Sequence, residues 1–113
     1  MTATNQTQKS VLGEKIRVAR NFIERLRGLL GTSRLEDGEG LLIPSCQGVH
    51  MFGMRYSLDI IYLDRNGKVL KLINGLPPNA IGAVDFRAHS VLELPAGVIG
   101  RTRTQVGDLL TLC

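Results

Sequence analysis

Apolar and polar positions change period several times along the chain. Lys15-Ile16-Arg17-Val18 alternates charged and apolar residues, the two-residue period of a half-buried strand. Phe22, Leu26, Leu29 and Leu30 then fall at helical spacing, with Glu24, Arg25 and Arg27 mostly on the opposite face. Asn21 is placed to cap the start of that helix, and Gly31 to end it in a left-handed conformation. After the polar turn 36–40, Leu41-Leu42-Ile43 reads as a buried strand stopped by Pro44. Leu58 to Leu63 reads as a second, central strand. Asp64-Arg65-Asn66-Gly67 is a hairpin turn, because Asn-Gly tolerates the positive φ angles such turns need, and Lys68 to Ile73 returns as the partner. Leu76-Pro77-Pro78-Asn79 breaks the pattern, and no periodicity resumes before Arg87. Ser90 to Leu94 alternates into another strand, ended by Pro95-Ala96-Gly97. Val98 to Val106 admits a short helical turn, and Gly107-Asp108 turns into a last strand, Leu109 to Leu112.

Six or seven short strands with one early helix, and no βα alternation, predict a mostly β fold. The expected form is a compact antiparallel sandwich or barrel-like single domain over residues 14–113. Residues 1–13 open with a stretch rich in Thr, Gln and Asn and read as a disordered N-terminal tail.

Composition narrows the function classes. Hydrophobic residues make up 43% and charged residues 21% of 113 residues, ordinary for a globular chain and unlike a disordered one. A domain of this size buries roughly two-thirds of the surface its unfolded chain exposes, enough to fold without metal or disulfide staples. Three Phe, two Tyr and no Trp leave little for a base-stacking platform. The net charge of +4 permits acidic partners without demanding them. The densest basic stretch, Arg17 to Arg34, is interleaved with Glu14, Glu24, Glu36 and Asp37, so no nucleic-acid partner is expected. No apolar run approaches the ~18 residues of a membrane span, and no secretory signal is visible. A cytoplasmic location with reduced thiols is the expectation, and neither a membrane nor a disulfide framework is; pairing by Cys113 is left open.

Several stretches together carry a family resemblance. They are Arg25-Leu26-Arg27-Gly28-Leu29-Leu30-Gly31, Gly38-Glu39-Gly40-Leu41-Leu42-Ile43, and the run from Pro44-Ser45-Cys46-Gln47-Gly48-Val49-His50 to Met51-Phe52-Gly53-Met54-Arg55. Leu58-Asp59, the turn 64–69, Val91-Leu92-Glu93-Leu94-Pro95-Ala96-Gly97 and Gly107-Asp108 follow in order. The chain after Glu14 is similar to the bacterial, archaeal and plant family known as domain of unknown function 192. The resemblance implies a small β-dominated fold and no established activity. Many relatives carry Trp-Met in a secreted or periplasmic context. Here Gly53-Met54 stands at that place, and the chain resembles the cytoplasmic branch, in which Cys and His precede the Met.

The chemistry concentrates between Cys46 and Asp64. Cys46, His50, Met51 and Met54 place a thiol, an imidazole and two thioethers within nine residues, soft ligands suited to zinc or copper(I). Only two of these are strong ligands, and the structural alternative has the methionines filling core gaps and Cys46 buried as a small hydrophobe. No cofactor is predicted, with zinc or copper kept as the alternative. A second option makes Cys46 a nucleophile with His50 or His89 as its base and Asp59 orienting that base. Asp59 and Glu93 each interrupt an apolar strand. Alternation turns Glu93 to solvent, but Asp59 shares its face with Ile61 and Leu63 and needs a partner, for which Arg55 and His50 are nearest in sequence. Arg101 and Arg103 are read as solvated. The residues favour a binding or accessory module with a pocket lined by Cys46, His50, Met54, Arg55 and Asp59, its ligand an unidentified small molecule or protein. A small hydrolase or transferase using His50, Asp59 or Cys46, and a soft-metal protein, are the alternatives.

Overall fold

The computed structural model describes residues 1–21, 24–25 and 35–113. The chain is mostly β, with two open sheets forming one compact domain. The strands are β1 (Ala3–Asn5), β2 (Ser10–Gly13), β3 (Lys15–Val18), β4 (Glu39–Pro44), β5 (Leu58–Leu63), β6 (Val69–Leu76), β7 (Ser90–Pro95) and β8 (Leu110–Leu112). Among the described residues a single short helix, α1 (Val98–Thr102), sits between β7 and β8. No helix there is long and apolar enough to cross a membrane.

The larger sheet runs β3-β4-β7-β5-β6 and the smaller one β2-β1-β8. Neither closes on itself, so of the two forms expected the sandwich is the one adopted. All pairings are antiparallel except β3–β4, which is parallel, with Lys15 opposite Glu39 and Val18 opposite Leu42. A parallel pair needs a crossover, and residues 19–38 supply it. The helix expected from Phe22 to Leu30 falls on this crossover and lies outside the described residues apart from Glu24 and Arg25. There Asn21 Oδ1 accepts the Glu24 N–H at 2.9 Å and the Asn21 carbonyl accepts the Arg25 N–H at 3.0 Å, the N-cap geometry expected of Asn21.

Strand register fixes which side chains share a face. Asp59 lies opposite Leu94, and Ile61 opposite Leu92, on one face of the larger sheet. Ile60 lies opposite Glu93, and Tyr62 opposite Val91, on the other. The Asp59 face packs against the smaller sheet, where Ile61, Leu63, Leu92 and Leu94 meet Ala3, Leu12 and Leu110. The Glu93 face is covered by loops instead, with Leu41, Ile43, Ile60, Tyr62 and Val91 under Val49, Met51, Met54 and Ala88. In the turn from β5 to β6, Gly67 takes φ +86°, and an added methyl group would meet the Leu110 carbonyl oxygen at 2.3 Å. The predicted Asn66-Gly67 hairpin therefore also lets β8 pass close.

The reading of residues 1–13 as a disordered tail is overturned. β1 is the middle strand of the smaller sheet, pairing β2 and β8. Its polar residues have partners far along the chain. Asn5 is fully buried and its Nδ2 donates to Thr104 Oγ1 at 3.1 Å and Asp108 Oδ2 at 3.0 Å, while its Oδ1 accepts the Gln8 N–H. Gln6 Nε2 donates to Thr111 Oγ1, and Thr7 Oγ1 accepts the Leu109 N–H. Burial alone raises the Asp108 pKa, but the hydrogen bonds from Asn5, the Gln105 backbone and Gln8 outweigh it and hold the carboxyl below its ordinary value. A composition typical of disorder here satisfies a buried polar knot.

Candidate functional site

The loops over the Glu93 face pair with each other. Gly82 N–H donates to the Val49 carbonyl at 2.8 Å, Met51 N–H to Ala80 at 2.8 Å, and Asp85 N–H to Gln47 at 2.9 Å. Tyr62, buried on β5, reaches up through its hydroxyl to the Ala83 carbonyl and ties this ribbon to the sheet. Between the ribbon, the end of β4 and the first turn of the crossover lies a cleft of ≈ 240 Å³. Arg20, Asn21, Arg25, Ser45, Cys46 and His50 contribute its polar lining, and Ile43, Pro44 and Val49 its apolar lining.

Behind Arg25 stands an ion pair that alternation did not anticipate. Glu93 does not turn to solvent; it is 0% exposed. The physical reason is its strand: β7 is the middle of five, and both faces of the sheet are covered. Arg25, 5% exposed, donates its Nε to Glu93 Oε1 at 2.7 Å and its Nη2 to the Met51 sulfur at 3.9 Å. Glu93 Oε2 is buried and has no hydrogen-bond partner among the described residues. Burial raises the Glu93 pKa above its ordinary value, and the attraction and hydrogen bond of Arg25 only partly oppose it. Tyr62 is raised too, first by burial and then by the nearby Cys46, Asp85 and Glu93.

Of the expected pocket residues, the fold brings Cys46 and His50 together on the cleft and separates the rest. The half-buried Cys46 donates its Sγ–H to the Gly48 carbonyl at 3.0 Å. His50 bridges to Ile81, stacks at 4.9 Å on Phe52, and its Nδ1 accepts the Phe52 N–H at 3.4 Å. Met54 is a core residue at 4% exposure, as is Met51 at 0%, and Arg55 is exposed.

Asp59 lies on the opposite face of the sheet, buried among apolar neighbours as its alternation implied. Its partners are not Arg55 or His50 but backbone N–H groups. Gly75 donates to Oδ1 at 2.8 Å, and Gly97 and Ile99 donate to Oδ2 at 3.1 and 2.9 Å. Asp59 thus caps α1 from another strand, satisfying donors that Gly97 cannot, because a glycine cap has no side-chain acceptor. His89 is exposed. Arg101 reaches Asp37 at 3.5 Å and Arg103 the Gln8 carbonyl at 3.5 Å. Among the described residues no three His, Cys, Asp or Glu side chains gather as metal ligands.

Sequence reasoning missed Arg20, Asn21, Arg25 and Ser45 as cleft residues and Glu93 as an inward charge. The available signal was the strand count, since the middle strand of a sheet covered on both faces has no solvent side.

A family model, DUF192 ("Uncharacterized ACR"), matches residues 2–112. The chain belongs to the DUF192 family. That match includes β1 and β2, so the family unit begins before Glu14. DUF192 relatives include the UPF0127 protein of Thermococcus sibiricus, 30% identical over 108 residues, covering 92% of this chain and 70% of the relative. The UPF0127 protein of Thermococcus kodakarensis is 25% identical over 117 residues, covering 95% and 70%. A crystal structure of a protein of unknown function from Novosphingobium aromaticivorans superposes with a TM-score of 0.78 at 23% identity, covering 98% of this chain and 82% of that one. Another, from Sinorhizobium meliloti and provisionally described as a transcription regulator, gives 0.73 at 20% identity, covering 97% and 89%. At such identities the likeness carries the DUF192 fold alone.

Proposed function

We propose that this DUF192 chain is a small-molecule binding module whose site is the cleft lined by Arg20, Arg25, Ser45, Cys46 and His50. The observation that carries this reading is the buried Arg25–Glu93 pair at the cleft, with one carboxylate oxygen left unpartnered among the described residues. A buried polar atom without a partner costs about 1–3 kcal/mol, and a folded chain tolerates that cost most readily at a functional site. A larger groove of ≈ 610 Å³ near Tyr56, Gly97 and Arg101 offers less. The buried carboxylate beside it, Asp59, is already saturated by three N–H groups. Binding is favoured over thiol catalysis because the Cys46 hydrogen bond goes to a backbone carbonyl rather than to a base.

Cys46 offers a direct test, because a thiol on the cleft can trap weak ligands. In a Cys113→Ser variant, disulfide-capped fragments are equilibrated under mildly reducing conditions and capture is read by intact mass. A subset of fragments is expected to be held about tenfold above the median, the effect of 1.4 kcal/mol of non-covalent contact. Capture that is uniform across the set, and equal to that of a free peptide thiol, sinks the reading.

A further inference from the structure

We infer that the cleft takes a small organic anion, anchored by the guanidinium of Arg25; this rests on the binding-module reading above. Three observations carry it. Arg25 is buried, lines the cleft, and uses only Nε and Nη2, on Glu93 and Met51; among the described residues Nη1 has no partner. A guanidinium carries five N–H donors and no acceptor; Nη1 is not sealed away without a partner but is available to an acceptor in the cleft, and an anionic acceptor forms the stronger bonds. Second, the charge around the cleft is positive. Arg20 joins Arg25 on the lining, and among the described residues no acidic side chain does. The Glu24 carboxylate turns to the Arg20 backbone N–H. Third, the one internal counter-charge is unreliable. An arginine does not shed its proton inside a protein, whereas burial favours the neutral form of Glu93. Whenever Glu93 is neutral, no other described residue is paired with Arg25 to balance its charge, and an anionic occupant does so. The volume limits that occupant: ≈ 240 Å³ holds about eight waters at ~30 Å³ each, so a ligand of roughly ten non-hydrogen atoms fits.

The charge pair also sets how binding depends on pH. Among the described residues the charged or titratable groups that act on Glu93 are Arg25, from the crossover, and Tyr62, from β5. Cys46 and Asp85 of the covering loops act on Tyr62 in turn. An anion on Arg25 competes with ionised Glu93, so anion binding takes up a proton and tightens as pH falls.

The test titrates ¹⁵N-labelled protein with methanesulfonate, which stays ionised throughout the working range, and with its neutral isostere methanesulfonamide. Methanesulfonate is expected to move the amides of Ser45 to His50 saturably, with affinity about tenfold above the sulfonamide, since charge-assisted bonds are roughly twice as strong as neutral ones. Its affinity rises as pH falls in the native chain, and rises less steeply in Glu93→Gln, where only the histidine of the lining still gains charge. Single removal of Arg25 would leave Glu93 buried alone and endanger the fold. The double variant Arg25→Met/Glu93→Leu replaces the pair by apolar groups of similar size, a change commonly neutral or stabilising. It should stay folded and lose methanesulfonate binding. If that variant still binds methanesulfonate in the cleft, Arg25 is not the anchor and the inference fails. If the sulfonamide binds the same amides as tightly as the sulfonate, the anionic class is wrong while the cleft stands. If neither probe reaches the cleft, both readings fall.

Discussion

Leu92-Glu93-Leu94 and Leu58-Asp59-Ile60 look alike as strings, each one acid among aliphatic residues, yet the fold treats the two acids differently. Asp59 is met by three backbone donors, while Glu93 has one arginine and one oxygen left over. The difference has a measurable consequence in pH. Unfolded, Glu93 titrates near its ordinary 4.5; folded, burial moves it upward. Between those values the folded chain holds more protons than the unfolded one, so stability falls as pH rises through that window. Below 4.5 the contribution is fully present. Urea unfolding of the native chain and Glu93→Gln from pH 4 to 8 should therefore show the native chain losing ground to the variant as pH rises. A difference constant with pH would contradict the assignment. The face on which Asp59 lies was legible, because Ile61 and Leu63 follow it at the strand period. Its partners were not: Gly75, Gly97 and Ile99 lie 16 to 40 residues away and offer only backbone, which no side-chain pattern announces.

Elements with strong local patterns appeared where alternation put them. Lys15–Val18 and Leu58–Leu63 are strands over the residues expected, and Asn66-Gly67 makes the turn. The failures came where the signal was long-range. The parallel pairing of β3 with β4 has no local signature. The first thirteen residues misled because Thr, Asn and Gln suit disorder and also suit a buried polar knot. Only the partner segment, Thr102 to Thr111, decides between them. If the knot holds β1 in place, Asn5→Ala should cost about 2–3 kcal/mol in urea unfolding, because it strips Asp108, Thr104 and the Gln8 N–H of a buried partner at once. A loss under ~0.5 kcal/mol, the usual range for surface positions, would restore the tail reading.

At the scale of the molecule, the larger sheet has one face sealed by a second sheet and one face roofed by loops. Loops tolerate variation and carry function more often than the scaffold beneath them, and the cleft lies on the roofed face. The patch from Cys46 to Asp64 was legible as dense in chemistry, but one sequence could not divide it. Cys46 and His50 reach the cleft, Met54 goes to the core, and Asp59 crosses to the other face. The crossover supplied the remaining lining, Arg20, Asn21 and Arg25, which sequence distance hid from the loop it meets. The most direct test is a fragment screen of the native chain read by amide shifts. Ligands should move residues 45–50 together with Arg20, Asn21 and Arg25, and shifts centred on Leu35–Asp37 and Ala96–Arg101, around the larger groove, would contradict the account.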